Sequence, residues 1–345
     1  MEQTSPSAAV FSPLLCIGRT EETVDAATFE FRHMDSRPFD YQAGQFITFE
    51  VDVADELLHR AYSLSSSPAQ PETVSITVKR VDQGRVSNFL LDNLQPGHAL
   101  KALAPAGEFT LQHCRATPKL VLMAAGSGIT PCLSIARWLL DTAQQVEIQF
   151  IYSARSVADV IMADTLDQLA ATHDNFQLQR LLDQCDSPRD GDYQGPLKAE
   201  LFAQLVPELA GRTLFSCGPE GYMAALRELA QARGMDMALF HQESFAPAEL
   251  AVEVADDAAQ YQLKALQSGI TAVARAGETL LTVLEAAGVP VVGACRAGVC
   301  GSCKCQLAAG DVASSSQATL TEAEIAAGYV LACSSTVQSD LAIAL

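Results

Sequence analysis

The sequence predicts a multidomain protein of mixed α+β and α/β class: an antiparallel β-barrel, then a doubly wound parallel sheet, then a small α+β unit. Short alternating apolar and polar runs, separated by Gly, Pro and Asp, fill residues 10–112, as in a small barrel. Strand-like and helical periods alternate over residues 113–245, which indicates a doubly wound sheet. Residues 246–258 lack a hydrophobic period and are interpreted as a linker. A cysteine-rich loop characterises the third unit, residues 259–345.

The strands of the first unit are predicted from their period of two, which is typical of strands with one buried face. They cover residues 28–31, 45–51, 74–80 and 98–103. A single short helix is predicted at residues 88–94, with Ser87 as its N-cap. Pro96 and Gly97 are expected to end this helix.

The second unit is predicted to contain four strands, each followed by a helix. The strands cover residues 119–125, 146–152, 176–182 and 212–217, and the helices begin near residue 131 or cover 159–172, 197–205 and 220–233. A glycine-rich turn precedes the first helix, which Thr130 is expected to cap and in which Pro131 suits the first position. Strands that alternate with helices in this way form a parallel sheet.

The third unit combines short strands with two helices. Its predicted elements are a strand pair within residues 261–275, a helix at 279–287, and strands at 330–334 and 340–345. Gly288 is expected to end the first helix. The second helix opens with Thr321 and Glu324, the signature of a capping box.

The composition limits the kinds of partner. The 345 residues contain 22 Lys and Arg against 41 Asp and Glu, a net charge of -19, which argues against nucleic acids and anionic membranes. The charge either keeps the surface solvated or steers the protein toward a basic partner. We find neither a run of 18 apolar residues nor a secretory signal. We therefore expect a cytoplasmic protein whose ten cysteines are not paired in disulfides.

Four cysteines have the spacing of a plant-type [2Fe–2S] site. They form C-x4-C-x2-C and, 29 residues later, a fourth cysteine: Cys295, Cys300, Cys303 and Cys333. Three thiolates on one loop and a fourth on a distant strand would hold the cluster, and Gly298 and Gly301 would permit the loop's backbone angles. Zinc loops usually contain two separated C-x2-C pairs, whereas one is present here. The extra Cys305 is interpreted as a strand residue.

Residues 59–66 form a second candidate site. Their arginine, aromatic ring and hydroxyl (Arg60, Tyr62 and Ser63) are expected on one face of a strand. An arginine pairs with phosphate, an aromatic ring packs against a flat ligand, and a hydroxyl donates a hydrogen bond. Downstream, Gly84 opens the short helix, whose N-terminus suits a pyrophosphate. Taken alone, residues 59–66 would also suit an ordinary polar edge strand.

A third candidate site lies in the second unit. The turn at residues 125–131 links a strand to a helix, and its glycines would let a phosphate approach the helix N-terminus. It differs from the G-x-G-x-x-G fingerprint of ordinary dehydrogenases. Cys217 ends the last predicted strand immediately before a helix. Arg155 follows the second strand, where an arginine binds either a 2′-phosphate or the ribose and pyrophosphate.

Together these motifs resemble the ferredoxin–NADP reductase superfamily, in the class that carries a C-terminal plant-type ferredoxin domain. The resemblance covers essentially all 345 residues. It implies an FAD-binding β-barrel, an NAD(P)-binding α/β domain with a doubly wound parallel sheet, and a [2Fe–2S] ferredoxin-like domain of β-grasp fold. FAD is favoured over FMN because the pyrophosphate-binding segment is present.

The resemblance also implies roles for individual residues. The flavin is expected to contact Arg60, Ala61, Tyr62, Ser63, Val78 and Lys79, with its pyrophosphate at Gly84, Val86 and Ser87. The nicotinamide cofactor is expected to contact Gly126, Ser127, Gly128, Thr130, Pro131, Arg155, Cys217, Gly218, Pro219 and Met223. Ser63 and Cys217 are expected to act in catalysis beside the reacting rings. Phe245 is expected either over the flavin or in ordinary packing.

The implied activity is electron transfer from NADH to FAD, then to the [2Fe–2S] cluster and on to a redox protein acceptor. NADH is favoured over NADPH. Within the superfamily the chain most resembles the NADH oxidoreductases of hybrid-cluster proteins, but it departs from them at Ser302 and after Cys333. The reductase component of a Rieske-type oxygenase would show the same three sites. A non-catalytic redox sensor is the alternative from another class, although a sensor needs no nicotinamide site.

Overall fold

The computed structural model describes residues 11–185, 188–189, 191–245, 259–296, 298, 300–317 and 319–345. The predicted linker, residues 246–258, lies outside the described residues. Among the described residues, no helix combines the length and the apolar character needed to cross a bilayer. None of the ten cysteines, all of them described, forms a disulfide.

The first sheet is antiparallel throughout and contains six strands in the order β4-β3-β6-β1-β2-β5. The strands are β1 (Ser12–Thr23), β2 (Ala26–His33), β3 (Phe46–Val53), β4 (Glu56–Ser63), β5 (Val74–Lys79) and β6 (Ala99–Ala102). A bridge between Leu64 and Ile76 brings the two edges of the sheet together, as a barrel requires. Phe29, Phe31 and Phe49 are fully buried inside it. Strand β1 was not predicted, because two register shifts interrupt its alternation.

The helix of this unit, α1 (Arg85–Asn93), begins three residues earlier than predicted. Its N-cap is Gly84, and no side chain caps it. The prediction that Ser87 is the N-cap is therefore wrong. Ser87 lies in the first turn, where its Oγ accepts a hydrogen bond from the backbone N–H of Val81 at 3.3 Å.

The second sheet is parallel throughout, in the order β10-β9-β8-β7-β11-β12. Its strands are β7 (Lys119–Ala125), β8 (Glu147–Ala154), β9 (Phe176–Leu182), β10 (Asp192–Gln194), β11 (Thr213–Cys217) and β12 (Phe240–Glu243). The helices are α2 (Ile129–Asp141), α3 (Ala163–Thr172), α4 (Ala199–Leu205) and α5 (Glu220–Ala232). Leu120 and Leu122 of β7 pack into one core, and Val121 and Met123 pack into another. Both faces of the sheet are therefore buried, as in a doubly wound fold.

The predicted cap of one helix in this unit and the predicted start of another are wrong. Helix α2 begins at Ile129 after a 3-10 turn, so Thr130 is not its cap and Pro131 is its third residue. The Thr130 hydroxyl instead donates a hydrogen bond to the carbonyl of Ser127 at 3.0 Å. Helix α3 begins at Ala163 instead of residue 159, because a separate 3-10 turn covers Val157–Asp159.

The third unit contains a mixed five-stranded sheet in the order β14-β13-β19-β15-β17, and β16 pairs with β18 beside it. Its elements are β13 (Gln260–Ala265), β14 (Thr271–Arg275), α6 (Leu280–Ala286), β15 (Lys304–Ala309), β16 (Val312–Ser314), α7 (Glu322–Ala326), β17 (Tyr329–Leu331), β18 (Ser335–Val337) and β19 (Leu341–Ala344). The predicted capping box of Thr321 and Glu324 is confirmed at the start of α7. Cys333 was predicted on a strand, which is wrong, because it lies in the 3-10 turn Ala332–Ser334 between β17 and β18.

Candidate active site

A cavity of about 1220 Å³ is lined by residues of all three units. It is larger than the pockets that hold drug-sized ligands, and its size suits a dinucleotide. Twelve of the predicted site residues line it: Arg60, Ala61, Tyr62, Ser63, Lys79, Gly84, Val86, Ser87, Ser127, Thr130, Phe245 and Cys295. Residues that are far apart in the sequence therefore share one site.

Strand β4 provides one wall of the cavity. Arg60 and Tyr62 are two residues apart and share one face of the strand, whereas Ser63 is out of phase with them. The prediction that all three share a face is wrong, although all three line the cavity. Ser63 reaches the cavity from the last position of β4, where its register partner on β3 is Phe46. Arg60 is exposed, and its Nη1 donates a hydrogen bond to the carbonyl of His59 at 2.7 Å.

The first turn of α1 forms a second wall. A Cβ atom on Gly84 would lie 2.6 Å from Ser87 Oγ and 3.0 Å from the Val81 carbonyl, so glycine allows this close turn. Lys79, Arg80 and Arg85 surround the helix N-terminus at the cavity. The positive charge and the free N–H groups of a helix N-terminus suit a pyrophosphate, so these residues fit an FAD. Val78 is fully buried in the barrel core and does not line the cavity.

The turn between β7 and α2 forms a third wall through Ser127 and Thr130. Gly128 lies behind it, where an added Cβ would be 2.2 Å from the carbonyl oxygen of Cys217. Glycine is therefore required for this turn to pass the end of β11. Gly126 has a φ of +55°, and its carbonyl accepts a hydrogen bond from Tyr152 Oη at 3.0 Å.

Several predicted nucleotide residues lie outside the cavity lining. They are Gly126, Gly128, Pro131, Arg155, Cys217, Gly218, Pro219 and Met223. Cys217 is fully buried, and the pKa of its thiol is raised by burial and by the nearby Glu243. Next to it, an added Cβ on Gly218 would meet Ala125 Cβ at 3.0 Å and the Tyr222 ring at 3.1 Å. Cys217 and Gly218 therefore pack at the end of β11, outside the cavity lining.

Glu243 is a candidate functional residue that the sequence did not reveal. It ends β12 beside Cys217, its register partner on β11. Ser63 Oγ donates a hydrogen bond to Glu243 Oε2 at 3.1 Å, across a separation of 180 residues. Burial raises the pKa of this carboxyl to about 8. The available signal was an acidic side chain two residues before Phe245, the one residue of this segment for which the resemblance implied a role.

Two further predicted residues lie at the periphery. Phe245 is 47% exposed and lines the cavity. Arg155 lies outside it and is paired with two carboxylates: its Nη2 is 2.7 Å from Asp159 Oδ1 and 3.7 Å from Asp25 Oδ2.

The four predicted cluster cysteines converge on one loop and the turn that faces it. Cys295 shares hydrogen bonds with Cys300 and Cys333, and Cys333 shares one with Cys303. The N–H of Gly298 donates to Cys333 Sγ at 3.2 Å. Within the described part of the chain, no three His, Cys, Asp or Glu side chains already have the geometry of a metal site.

The loop geometry fits a bound cluster. Gly298 and Gly301 both have a φ of +72°, and an added Cβ on Gly298 would lie 2.8 Å from the Cβ of Ser334. The backbone therefore comes close to the thiols, as the glycines had indicated. Four cysteine thiolates are the donor set of a [2Fe–2S] cluster. Cys305 is a buried residue of β15, which confirms its interpretation as a strand residue.

Comparison with known proteins identifies each unit. The family model for an oxidoreductase FAD-binding domain matches residues 15–111, and that for an oxidoreductase NAD-binding domain matches residues 122–228. The family model for a 2Fe-2S iron-sulfur cluster binding domain matches residues 263–338.

Relatives cover nearly the whole chain. The NADH oxidoreductase HCR of Escherichia coli K12 is 39% identical over 325 residues, 94% of this chain and 95% of the relative. The glycine betaine monooxygenase reductase subunit of Pseudomonas aeruginosa UCBPP-PA14 is 36% identical over 346 residues, 95% of this chain and 93% of the relative. The structure of phthalate dioxygenase reductase, 24% identical, has the same fold with a TM-score of 0.64, covering 99% of this chain and all of that one.

The comparisons confirm the predicted fold class, the expected FAD, nicotinamide and [2Fe–2S] cofactors, and an oxidoreductase function in electron transport. The chain therefore belongs to the ferredoxin–NADP reductase superfamily, in the class of oxidoreductases that carry a C-terminal 2Fe-2S ferredoxin domain.

Proposed function

We propose that this protein is a reductase that takes electrons from NADH onto FAD, transfers them to its own [2Fe–2S] cluster and delivers them to a protein acceptor. One observation carries the proposal. The flavin-binding strand β4, the nucleotide turn after β7 and the cluster ligand Cys295 all line a single cavity. Electron donor, flavin and cluster would thus meet at one place, as stepwise electron transfer requires.

Bound FAD would convert a hydride into single electrons, and the bound cluster would carry one electron at a time. Around these groups, Arg60 and the N-terminus of α1 neutralise phosphate charge, and Tyr62 packs against the flavin. Ser63, which lines the cavity, is assigned to the reacting ring of the flavin, whereas Cys217 is buried at the end of β11 and supports the nicotinamide side from behind the cavity wall. Glu243, with its pKa of about 8, holds a proton at neutral pH and fixes the Ser63 hydroxyl.

Anaerobic stopped-flow absorbance tests this function. The purified protein is mixed with NADH or NADPH, and the flavin and cluster bands are followed together. We expect flavin bleaching followed by cluster bleaching with NADH. If neither nucleotide bleaches the flavin, the reductase function is wrong, and a non-catalytic sensor becomes the better interpretation.

We propose a hybrid-cluster protein as the acceptor, on the basis of the similarity to the NADH oxidoreductase HCR. An oxygenase component is the second candidate, because reductase subunits of glycine betaine monooxygenase and of stachydrine N-demethylase are also similar to this chain. NADH oxidation under anaerobic conditions, with a purified hybrid-cluster protein or with a Rieske-type oxygenase component, distinguishes them. We also propose a cytoplasmic location, which accords with ten cysteines that form no disulfide.

A further inference from the structure

Arg155 occupies the position at which doubly wound folds distinguish NADH from NADPH. It directly follows β8, which pairs with β7 and is the second strand along the chain in the parallel sheet. In doubly wound folds, a residue near the end of the second strand contacts the adenosine ribose. A carboxylate there accepts a hydrogen bond from the 2′-hydroxyl of NADH, and an arginine there donates hydrogen bonds to the 2′-phosphate of NADPH.

The guanidinium of Arg155 is already engaged by two carboxylates. Its Nη2 lies 2.7 Å from Asp159 Oδ1 and 3.7 Å from Asp25 Oδ2. Asp159 is further held by Ser156, whose Oγ donates a hydrogen bond to Oδ2 at 2.7 Å. Lys79 is the other cation nearby, with its Nζ 3.4 Å from Asp25 Oδ2. The positive charge of Arg155 is therefore balanced before any nucleotide arrives.

Asp25 comes from the flavin barrel, on the turn between β1 and β2, and its position is fixed by neighbouring contacts. Thr23 Oγ1 donates a hydrogen bond to Asp25 Oδ1 at 2.8 Å. On the same hairpin, Glu22 Oε2 accepts a hydrogen bond from the backbone N–H of Met162 at 3.0 Å. The hairpin thus packs on the nucleotide unit beside Arg155, and Asp25 lies at the interface between the two units.

The charges decide which nucleotide this position accepts. The Ser156 hydrogen bond and the pairing with Arg155 lower the pKa of Asp159, so it is ionised at neutral pH. A 2′-phosphate carries a charge of roughly -1.5 to -2 at pH 7. To bind Arg155, the 2′-phosphate would have to displace one of the two carboxylates, and its negative charge would still lie close to both of them. The 2′-hydroxyl of NADH carries no charge and can donate a hydrogen bond to a carboxylate.

We propose that Asp25 and Asp159 jointly occupy Arg155 and thereby exclude a 2′-phosphate, so that a residue of the flavin barrel helps to determine the preference for NADH over NADPH. The proposal rests on the proposed reductase function and adds the residues that select its electron donor.

The test uses the FAD- and cluster-loaded full chain with the single variants Asp159→Asn and Asp25→Asn. Repulsion between the 2′-phosphate and one carboxylate a few ångströms away weakens NADPH binding by about a factor of ten. We therefore expect each variant to raise the ratio of kcat/KM for NADPH to that for NADH by about tenfold. Asp35→Asn is the matched control, because Asp35 also pairs with an arginine at 3.7 Å but lies beyond the opposite end of β2 from Asp25.

A binding measurement separates specificity from turnover. Calorimetry of the aspartate variants with 2′,5′-ADP and 5′-AMP is expected to show an increase in affinity of similar size for 2′,5′-ADP and no change for 5′-AMP. Adding Arg155→Gln to either variant is expected to abolish the gain, because the freed guanidinium is its cause. Thermal unfolding of every variant checks that the interface between the two units is intact.

The outcomes are distinct. An unchanged nucleotide ratio in both aspartate variants, with flavin bleaching by NADH intact, overturns the inference and leaves the reductase function standing. A gain that survives Arg155→Gln, or a wild type that already prefers NADPH, also overturns it. A wild type that neither nucleotide reduces overturns the reductase function and the inference together.

Discussion

Glu243→Gln is the substitution that tests the candidate site most directly. Burial raises the pKa of this carboxyl from an ordinary value of 4.5 to about 8, and the hydrogen bond from Ser63 lowers it only in part. The difference of about 3.5 pKa units corresponds to roughly 5 kcal/mol for ionising Glu243 in the folded protein, at about 1.4 kcal/mol per unit. Glutamine keeps the shape of the side chain and cannot ionise.

The sign of the pH dependence follows from proton linkage. Because the pKa of Glu243 is higher in the folded than in the unfolded chain, the folded state holds a proton that the unfolded state has released between pH 4.5 and about 8. The stabilisation is complete below pH 4.5 and is lost as the pH rises through this window. The Gln variant lacks this contribution at every pH.

The assay is the free energy of unfolding of wild type and Glu243→Gln from pH 5 to pH 9, at one fixed concentration of FAD. We expect wild type to lose about 4 kcal/mol relative to the variant over this range, because part of the change already occurs below pH 5. Glu322→Gln, an exposed residue of α7, serves as the control and is expected to follow wild type. A difference between wild type and Glu243→Gln that stays constant with pH would refute the reasoning.

Three other substitutions test the cluster unit. Cys300→Ser is expected to abolish cytochrome c reduction through the cluster while ferricyanide reduction by the flavin persists. Gly298→Ala is expected to lower cluster content, measured by visible absorbance, and to cost at least about 1 kcal/mol of stability. The reasons are its φ of +72° and an added Cβ only 2.8 Å from Ser334 Cβ. Ser302 Oγ lies 3.1 Å from Cys300 Sγ, so Ser302→Ala is expected to lower the cluster potential by about 40 mV, the one-electron equivalent of a hydrogen bond of about 1 kcal/mol. Potentiometry followed by electron paramagnetic resonance measures this shift.

Matched variants control these tests. Cys305→Ser changes a nearby thiol that is not among the four ligands, and Gly221→Ala changes a glycine of α5 with open space around it. Cytochrome c reduction at the wild-type rate in Cys300→Ser would show that the cluster is not the exit route. Full cluster content in Gly298→Ala would contradict the steric account. An unchanged potential in Ser302→Ala would mean that its hydroxyl donates to the Val292 carbonyl, 2.9 Å away.

Much of the fold could be predicted because the spacing of apolar residues along a short segment indicates which of its faces is buried. Strand β7 alternates between two cores and follows from its unbroken apolar run. Strand β1 was missed because bulges break its alternation, and β10 and β12 are only three and four residues long. The cap predictions at Ser87 and Thr130 failed for a related reason. Each hydroxyl instead forms a hydrogen bond with the loop that precedes its helix.

The candidate site, like the fold, could be predicted from the sequence only in part. The four candidate cluster cysteines could be selected from sequence because the spacing of three of them on one loop is typical of a [2Fe–2S] site, and the structure brings Cys333 to that loop. The contact of Ser63 with Glu243 spans 180 residues, and the contact of Asp25 with Arg155 joins two units. No spacing rule encodes such pairs, since they arise from the packing of the barrel against the parallel sheet.

The distribution of charge bears on how an acceptor reaches the cluster. Residues 259–345 contain six acidic and four basic side chains, namely Glu278, Glu285, Asp311, Glu322, Glu324 and Asp340 against Lys264, Arg275, Arg296 and Lys304. Their net charge is -2, so nearly all of the total of -19 belongs to the rest of the chain. Arg296, beside the ligand Cys295, is itself paired with Glu285 at 2.6 Å. Long-range steering would therefore draw a basic partner toward the reductase units and away from the cluster. We therefore expect short-range contacts to bring the acceptor to the cluster. The rate of electron transfer to the acceptor is then expected to change little between about 50 and about 500 mM salt. A rate that depended on long-range steering would fall strongly over this range, because salt screens the charges.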